Sequence, residues 1–64
     1  MMPHEQRVID EKVELALKVQ KLYIFIGSKV FESLSSEEQS LLQYQITIMK
    51  DYLRVLNERI DLFN

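Results

Sequence analysis

Gln45, Tyr52 and Arg59 follow one another at intervals of seven within an otherwise apolar helical stripe. On a helix advancing about 100° per residue they fall within roughly 40° of one another. Leu41, Ile48 and Val55 lie on one flank, and Leu42, Met49 and Leu56 on the other. Polar groups set into apolar surface need partners, whether another helix, another chain or a ligand. An aromatic ring near Arg and Lys can cradle a nucleotide, because the ring stacks on a base while the cations take phosphate oxygens. If the chain folds as an antiparallel hairpin, residue numbers facing each other sum to about 64. Lys12 then comes level with Tyr52, and Arg7 near Arg59. The candidate ligand-binding set is Arg7, Lys12, Gln45, Tyr52 and Arg59: Arg7, Lys12 and Arg59 contact phosphate, Tyr52 stacks and Gln45 orients its neighbours. The same residues allow a second reading in which nothing binds. Arg59 then pairs with Glu11 or Asp10 of its own or another chain, the Tyr52 hydroxyl meets Gln45, and the ladder fixes the register of packed helices.

No catalytic constellation accompanies the ladder. His4 is the one histidine and there is no cysteine, so a zinc-type ligand set is missing. Gly27 is the single glycine, too little for a phosphate-cradling loop. Asp10 with Glu14, and Glu37 with Glu38, sit beside Lys or Arg or at a helix start, where acids support helices. Arg7 with Glu11, and Glu14 with Lys18, are four apart and read as a solvated face. Tyr23, Phe25 and Tyr44 read as packing residues, and the three methionines as core filler. The expectation is a protein that is not an enzyme and uses no cofactor or metal.

The elements that must position the ladder are two long helices. From about residue 4 to 26 neither Gly nor Pro interrupts a helical recurrence of Val8, Leu15, Val19, Leu22 and Ile26, with Pro3 at the start and Gly27-Ser28 at the end. A short helical turn over about 29–34 carries Phe31 and Leu34 inward. Ser35 with Glu38, or Ser36 with Gln39, then starts a second helix over about 36–62. The fold class is all-α, an antiparallel helical hairpin forming one domain over 1–64.

Both helices are apolar over too wide an arc for one hairpin. In the second, Leu42, Ile46, Met49, Leu53, Leu56, Ile60 and Phe63 form one stripe, which Leu41, Tyr44, Ile48, Val55 and Leu62 extend to roughly 200°, against about 100° for one partner helix. In the first, Ile9, Val13, Ala16, Leu17, Tyr23 and Ile24 widen the stripe in the same way. A 64-residue chain without disulfides or metal has oligomerisation as its remaining route to stability. The expected state is a homo-oligomeric bundle, with a four-helix dimer as the minimum unit.

Composition narrows the partners. The chain is 47% hydrophobic, 28% charged and carries a net charge of −2, which suits a folded soluble protein and disfavours DNA and anionic membranes. The apolar run Leu22 to Ile26 is far short of the roughly 20 residues a bilayer requires. Met1 to Gln6 lacks signal-peptide character. With no cysteine, a reducing cytoplasm is expected.

The order of residues resembles small helical proteins of tailed bacteriophages, the group related to the gene-48 product of crAss-like phages. The matching pieces run from Gln6-Arg7-Val8-Ile9-Asp10-Glu11-Lys12 through Glu14-Leu15, Lys18, Lys21-Leu22 and Phe25-Ile26. They continue with Phe31, Leu34, Ser36-Glu37-Glu38-Gln39, Leu41-Leu42, Gln45, Met49, Tyr52, Leu56 and Arg59-Ile60. Val13 and Ala16 stand where relatives are expected to carry charge. The resemblance implies a phage accessory protein acting in the cytoplasm of the infected bacterial host. By looser analogy with anti-CBASS sponges, it implies an anti-defence protein that sequesters a cyclic di- or trinucleotide at subunit interfaces without cleaving it. The alternatives are a protein-interaction module docking through Leu17, Ile24, Tyr44, Val55 and Leu62, or a minor structural component of the phage particle.

Overall fold

The computed structural model describes residues 1–63 and contains three helices: α1 over Pro3–Ile26, α2 over Lys29–Glu32 and α3 over Ser36–Asp61. Local chemistry sets each boundary. Pro3 occupies the first turn of α1, where its missing N–H costs nothing. The Glu5 carboxylate accepts from the Met2 amide at 2.8 Å, satisfying one donor at the entry.

The exit of α1 departs from what a terminal glycine suggests. Gly27 has φ −84°, not the left-handed conformation that glycine caps adopt. Ser28 makes the break instead. Its hydroxyl donates to the Phe25 carbonyl at 2.6 Å and accepts from the Phe31 amide at 3.2 Å, closing α1 and opening α2 with one side chain. Phe31 is buried, and its ring meets Phe25 edge-on with centroids 6.2 Å apart.

Of the two start signals for α3, the structure uses Ser35, whose hydroxyl accepts from the Glu38 amide at 3.1 Å. Gln39 does other work. Its side-chain amide nitrogen lies 3.0 Å from the Phe31 carbonyl and 3.2 Å from those of Glu32 and Leu34, tying α3 to the connection. That cross-tie holds the corner at which the chain reverses.

α1 and α3 pack antiparallel along their lengths. Val8, Leu15 and Leu56 form the core cluster, with Val19, Met49, Leu53, Ile60 and Phe63 packed around it. The result is a rod of 46 × 14 × 13 Å with a radius of gyration of 14.7 Å, against about 11 Å for a compact globule of this length. Among the described residues only Val8, Leu15, Phe31, Ile46 and Leu56 are buried. The hairpin is covered along one line and open elsewhere.

Candidate functional site

α3 carries two adjacent stripes with the same rhythm. The inner one, Leu42, Ile46, Met49, Leu53, Leu56, Ile60 and Phe63, alternates steps of four and three and is buried or half-buried throughout. The outer one, Leu41, Gln45, Ile48, Tyr52, Val55, Arg59 and Leu62, has the same steps displaced by one residue and is exposed throughout. One residue turns the helix by about 100°, enough to carry the outer stripe clear of α1. The ladder therefore lies at the border of the covered and uncovered halves of α3, and its three polar residues are exposed in the single chain rather than buried. Their apolar neighbours Leu41 and Ile48 are exposed by 60% and 50%.

The residue of α1 that meets the ladder is Glu11. The Tyr52 hydroxyl donates to its carboxylate across the two helices. Glu11 and Tyr52 sum to 63, close to the facing sum expected of the hairpin. Glu11 with Tyr52 is the rung in contact, and the interval of seven on both helices puts Lys18 and Gln45 about one repeat to one side of it and His4 and Arg59 about one repeat to the other. Rungs are spaced by about 10 Å, seven residues of helical rise. Arg7 lies one turn from His4 and within about one turn of the level of Arg59. Lys18 at one end and Arg7 with Arg59 at the other thus bracket the Tyr52 ring.

Lys12 does not join them. It is the residue after Glu11, turned about 100° away, and it sits half-buried in the stripe of Val8, Leu15 and Val19. The structure brings Arg7, Gln45, Tyr52 and Arg59 to one edge and leaves Lys12 between the helices. Lys18, which reads in the sequence as part of a solvated face, is an exposed cation that the interval of seven places on the same edge as Glu11. The matching interval of seven from His4 through Glu11 to Lys18 is the signal that finds it.

Within the single chain, the pairings differ from those that the register-fixing reading expects. Tyr52 bonds Glu11, not Gln45, and the Gln45 amide points to the Met49 sulfur at 3.9 Å. Asp10 accepts from the Gln6 amide at 2.9 Å. Among the described residues the one ion pair joins Arg54 to Asp51, 3.7 Å apart on the solvent side of α3. Arg7 and Arg59 are thus exposed cations without an ion pair to any described residue.

The opposite edge is of a different kind. Lys50 there lies 5.7 Å from the centre of the Tyr23 ring, a cation over an aromatic face. Tyr23 and Tyr44 are exposed by 66% and 65%, so neither is a core residue, whereas Phe25 packs on Phe31. Val13, Leu17 and Ile24 emerge on the back of α1, away from the outer stripe of α3. Leu17 and Ile24 do not form one continuous surface with Tyr44, Val55 and Leu62. No enclosed pocket and no group of acids, His and Cys able to hold a metal occurs among the described residues. None of their helices is long and apolar enough to cross a membrane.

Comparison with known proteins supplies the context. The chain is 38% identical over 63 residues to an uncharacterized 7.5 kDa protein encoded in the denB-rIIB intergenic region of enterobacteria phage T4, covering 98% of each. No solved structure matches. The phage origin expected from the resemblance agrees with this relative. The match supports a family of small phage proteins and does not single out the crAss-like gene-48 group. A family model described as Sequestin matches residues 2–62, nearly the whole chain, so this protein belongs to the Sequestin family of small phage proteins, a name that fits a sequestering role.

Proposed function

We propose that this protein is a phage anti-defence factor that withholds a cyclic oligonucleotide signal from a host effector by binding it, without cleaving it, at the ladder edge of an oligomer. The observation that carries this reading is the edge itself. An exposed tyrosine is bracketed by Lys18, Arg7 and Arg59, cations not committed to any described acid. Sequestration by a stoichiometric binder requires affinity and abundance, not chemistry, and the residues offer affinity without a nucleophile or a general-base pair. Tyr52 supplies a face for a base, and Arg59 and Arg7 take phosphate oxygens about one rung away. Lys18 does the same on the other side, and Gln45 reads or orients. Lys12, half-buried, contributes packing and positive potential rather than direct contact.

Glu11 gives the site a latch. Its carboxylate holds Tyr52 in place in the free protein and disfavours anions immediately at the ring, so phosphate is directed to the flanking rungs. Isothermal titration against a panel of cyclic di- and trinucleotides, with linear dinucleotides and ATP as controls, tests the reading. Saturable binding of at least one cyclic species, weakened in Tyr52→Ala and Arg59→Ala, is the expected result. No heat with any cyclic species removes its support.

A second reading rests on the back of α1. Val13, Leu17 and Ile24 are exposed by 50%, 53% and 64% and lie away from the ladder, which favours a helix-in-groove contact with a host or phage protein there. Affinity capture from infected-cell lysate separates the two: a sponge brings down no stoichiometric protein, and an adaptor brings down one.

A further inference from the structure

Among the described residues, Glu11 is the acid that bonds the ladder, through the Tyr52 hydroxyl. We propose that Glu11 sets the specificity of this edge: the nucleotide that stacks on Tyr52 presents two adjacent neutral donors, N–H or O–H, to the Glu11 carboxylate. The inference rests on the sequestration reading for there being a nucleotide at all, and it names which part of that nucleotide is read.

The first observation is one of place. A phenol oxygen stands at the far end of its ring and in the plane of it, so a carboxylate bonded to that oxygen lies at the rim of the ring and leaves its faces open. A base stacked on a face then turns its own edge toward the same carboxylate. The second is one of capacity. An ionised carboxylate accepts through two oxygens with about four lone-pair sites, and Tyr52 takes one. Arg7 lies four residues before Glu11, the spacing of a helical ion pair, yet Glu11 has no ion pair with any described residue. Its remaining lone pairs are exposed and uncommitted. The third is one of charge. The carboxylate repels phosphate at the ring, while Lys18, Arg7 and Arg59 receive it about 10 Å to either side. What sits beside the ring is therefore neutral and donates.

Few parts of a nucleotide meet that requirement. Guanine has N1–H and the 2-amino group side by side, one for each carboxylate oxygen. Adenine sets a lone pair beside its amino group, and cytosine and uracil flank a single donor with acceptors, all of which a carboxylate disfavours. The other paired donor is the cis-diol of a ribose, which carboxylates also hold. The shared chemistry is the donor pair, and the two sources are separated by choice of probe.

Titration calorimetry of the wild-type protein compares cyclic di-GMP with cyclic di-IMP, which lacks the 2-amino group, and with cyclic di-AMP. Dinucleotides closed through both 3′ oxygens carry no free diol. A second arm therefore compares ATP with 2′,3′-dideoxy-ATP. A preference of about tenfold or more for the donor pair is expected in one arm. Glu11→Ala should abolish that preference while leaving the donor-poor probe bound at least as well as before. Tyr52→Phe loses the bond that ties the ring to Glu11 but keeps ring and carboxylate, so the preference should persist. If Glu11 only holds Tyr52 in place, Glu11→Ala weakens every probe alike and the ratio survives, which would overturn the proposal. Equal wild-type affinities within both arms would overturn it and leave the sponge; no binding of any probe would remove both. Should Glu11→Ala lose its helical circular dichroism, Glu11→Gln, which keeps the shape and one acceptor oxygen, is expected to narrow the preference, and an unchanged ratio there would overturn the proposal as well.

Discussion

The inner and outer stripes of α3 are one residue out of step, yet they have opposite fates. Leu56 is fully buried and Val55, beside it, is exposed by 45%. Composition does not separate them, since Leu41, Ile48, Val55 and Leu62 are as apolar as the residues that pack. What separates them is the polar residue at every second step: the inner stripe has none, and the outer one carries Gln45, Tyr52 and Arg59. An uninterrupted apolar seam closes against α1 and stays closed. An interrupted one leaves polar groups on an apolar face, where a second chain or a ligand can use them.

The largest expected effect falls on the inner stripe. Leu56→Ala should cost about 2–5 kcal/mol, the range for large-to-small changes at a closed site, and should lower the thermal midpoint at every protein concentration. Val55→Ala offers the contrast. Its effect on the midpoint should grow with protein concentration, because the outer stripe matters through association. Concentration-dependent melts followed by circular dichroism distinguish the two. Equal, concentration-independent losses would erase the difference between the stripes.

Next comes the ring. Tyr52→Ala should weaken nucleotide binding by about 1–3 kcal/mol, the worth of one base–aromatic stack. Tyr52→Phe should keep most of the affinity, because it keeps the ring and loses only the hydroxyl bond to Glu11. Titration calorimetry on both variants tells stacking from hydrogen bonding. If Phe behaves like Ala, the hydroxyl and not the ring is the recognition element.

Smaller effects test the frame that holds the edge in register. Ser35→Ala removes the cap that α3 uses and should cost about 1 kcal/mol by denaturant melt, whereas Ser36→Ala, whose hydroxyl takes no part in the cap, should cost far less. Gly27→Ala should change stability by under about 0.5 kcal/mol. Its φ is negative, and a methyl group there would meet nothing closer than the Ile24 carbonyl at 3.6 Å.

Much of this fold was legible in the order of residues. The inner stripe, the two long helices and the helical turn with Phe31 inward all follow from spacing, because packing of one helix on another repeats on the helical period. The role of Ser28 was less visible. A Gly-Ser pair reads as a glycine stop, and only the geometry shows that the serine hydroxyl bridges the two helices. At the site, the heptad ladder singled out Gln45, Tyr52 and Arg59, and the facing sum brought Arg7 near Arg59. Height along a helix is not direction around it, however. Lys12 is level with Tyr52 but turned inward, while Glu11 and Lys18, exposed on the facing edge, looked like ordinary surface charges.

Sequestration by an oligomer is read out by native mass spectrometry of the purified protein mixed with a cyclic dinucleotide or trinucleotide. The expected result is an oligomer that gains the mass of intact ligand and releases it unchanged on denaturation. A chain that stays monomeric and gains no nucleotide, or one that returns a hydrolysed product, would contradict it.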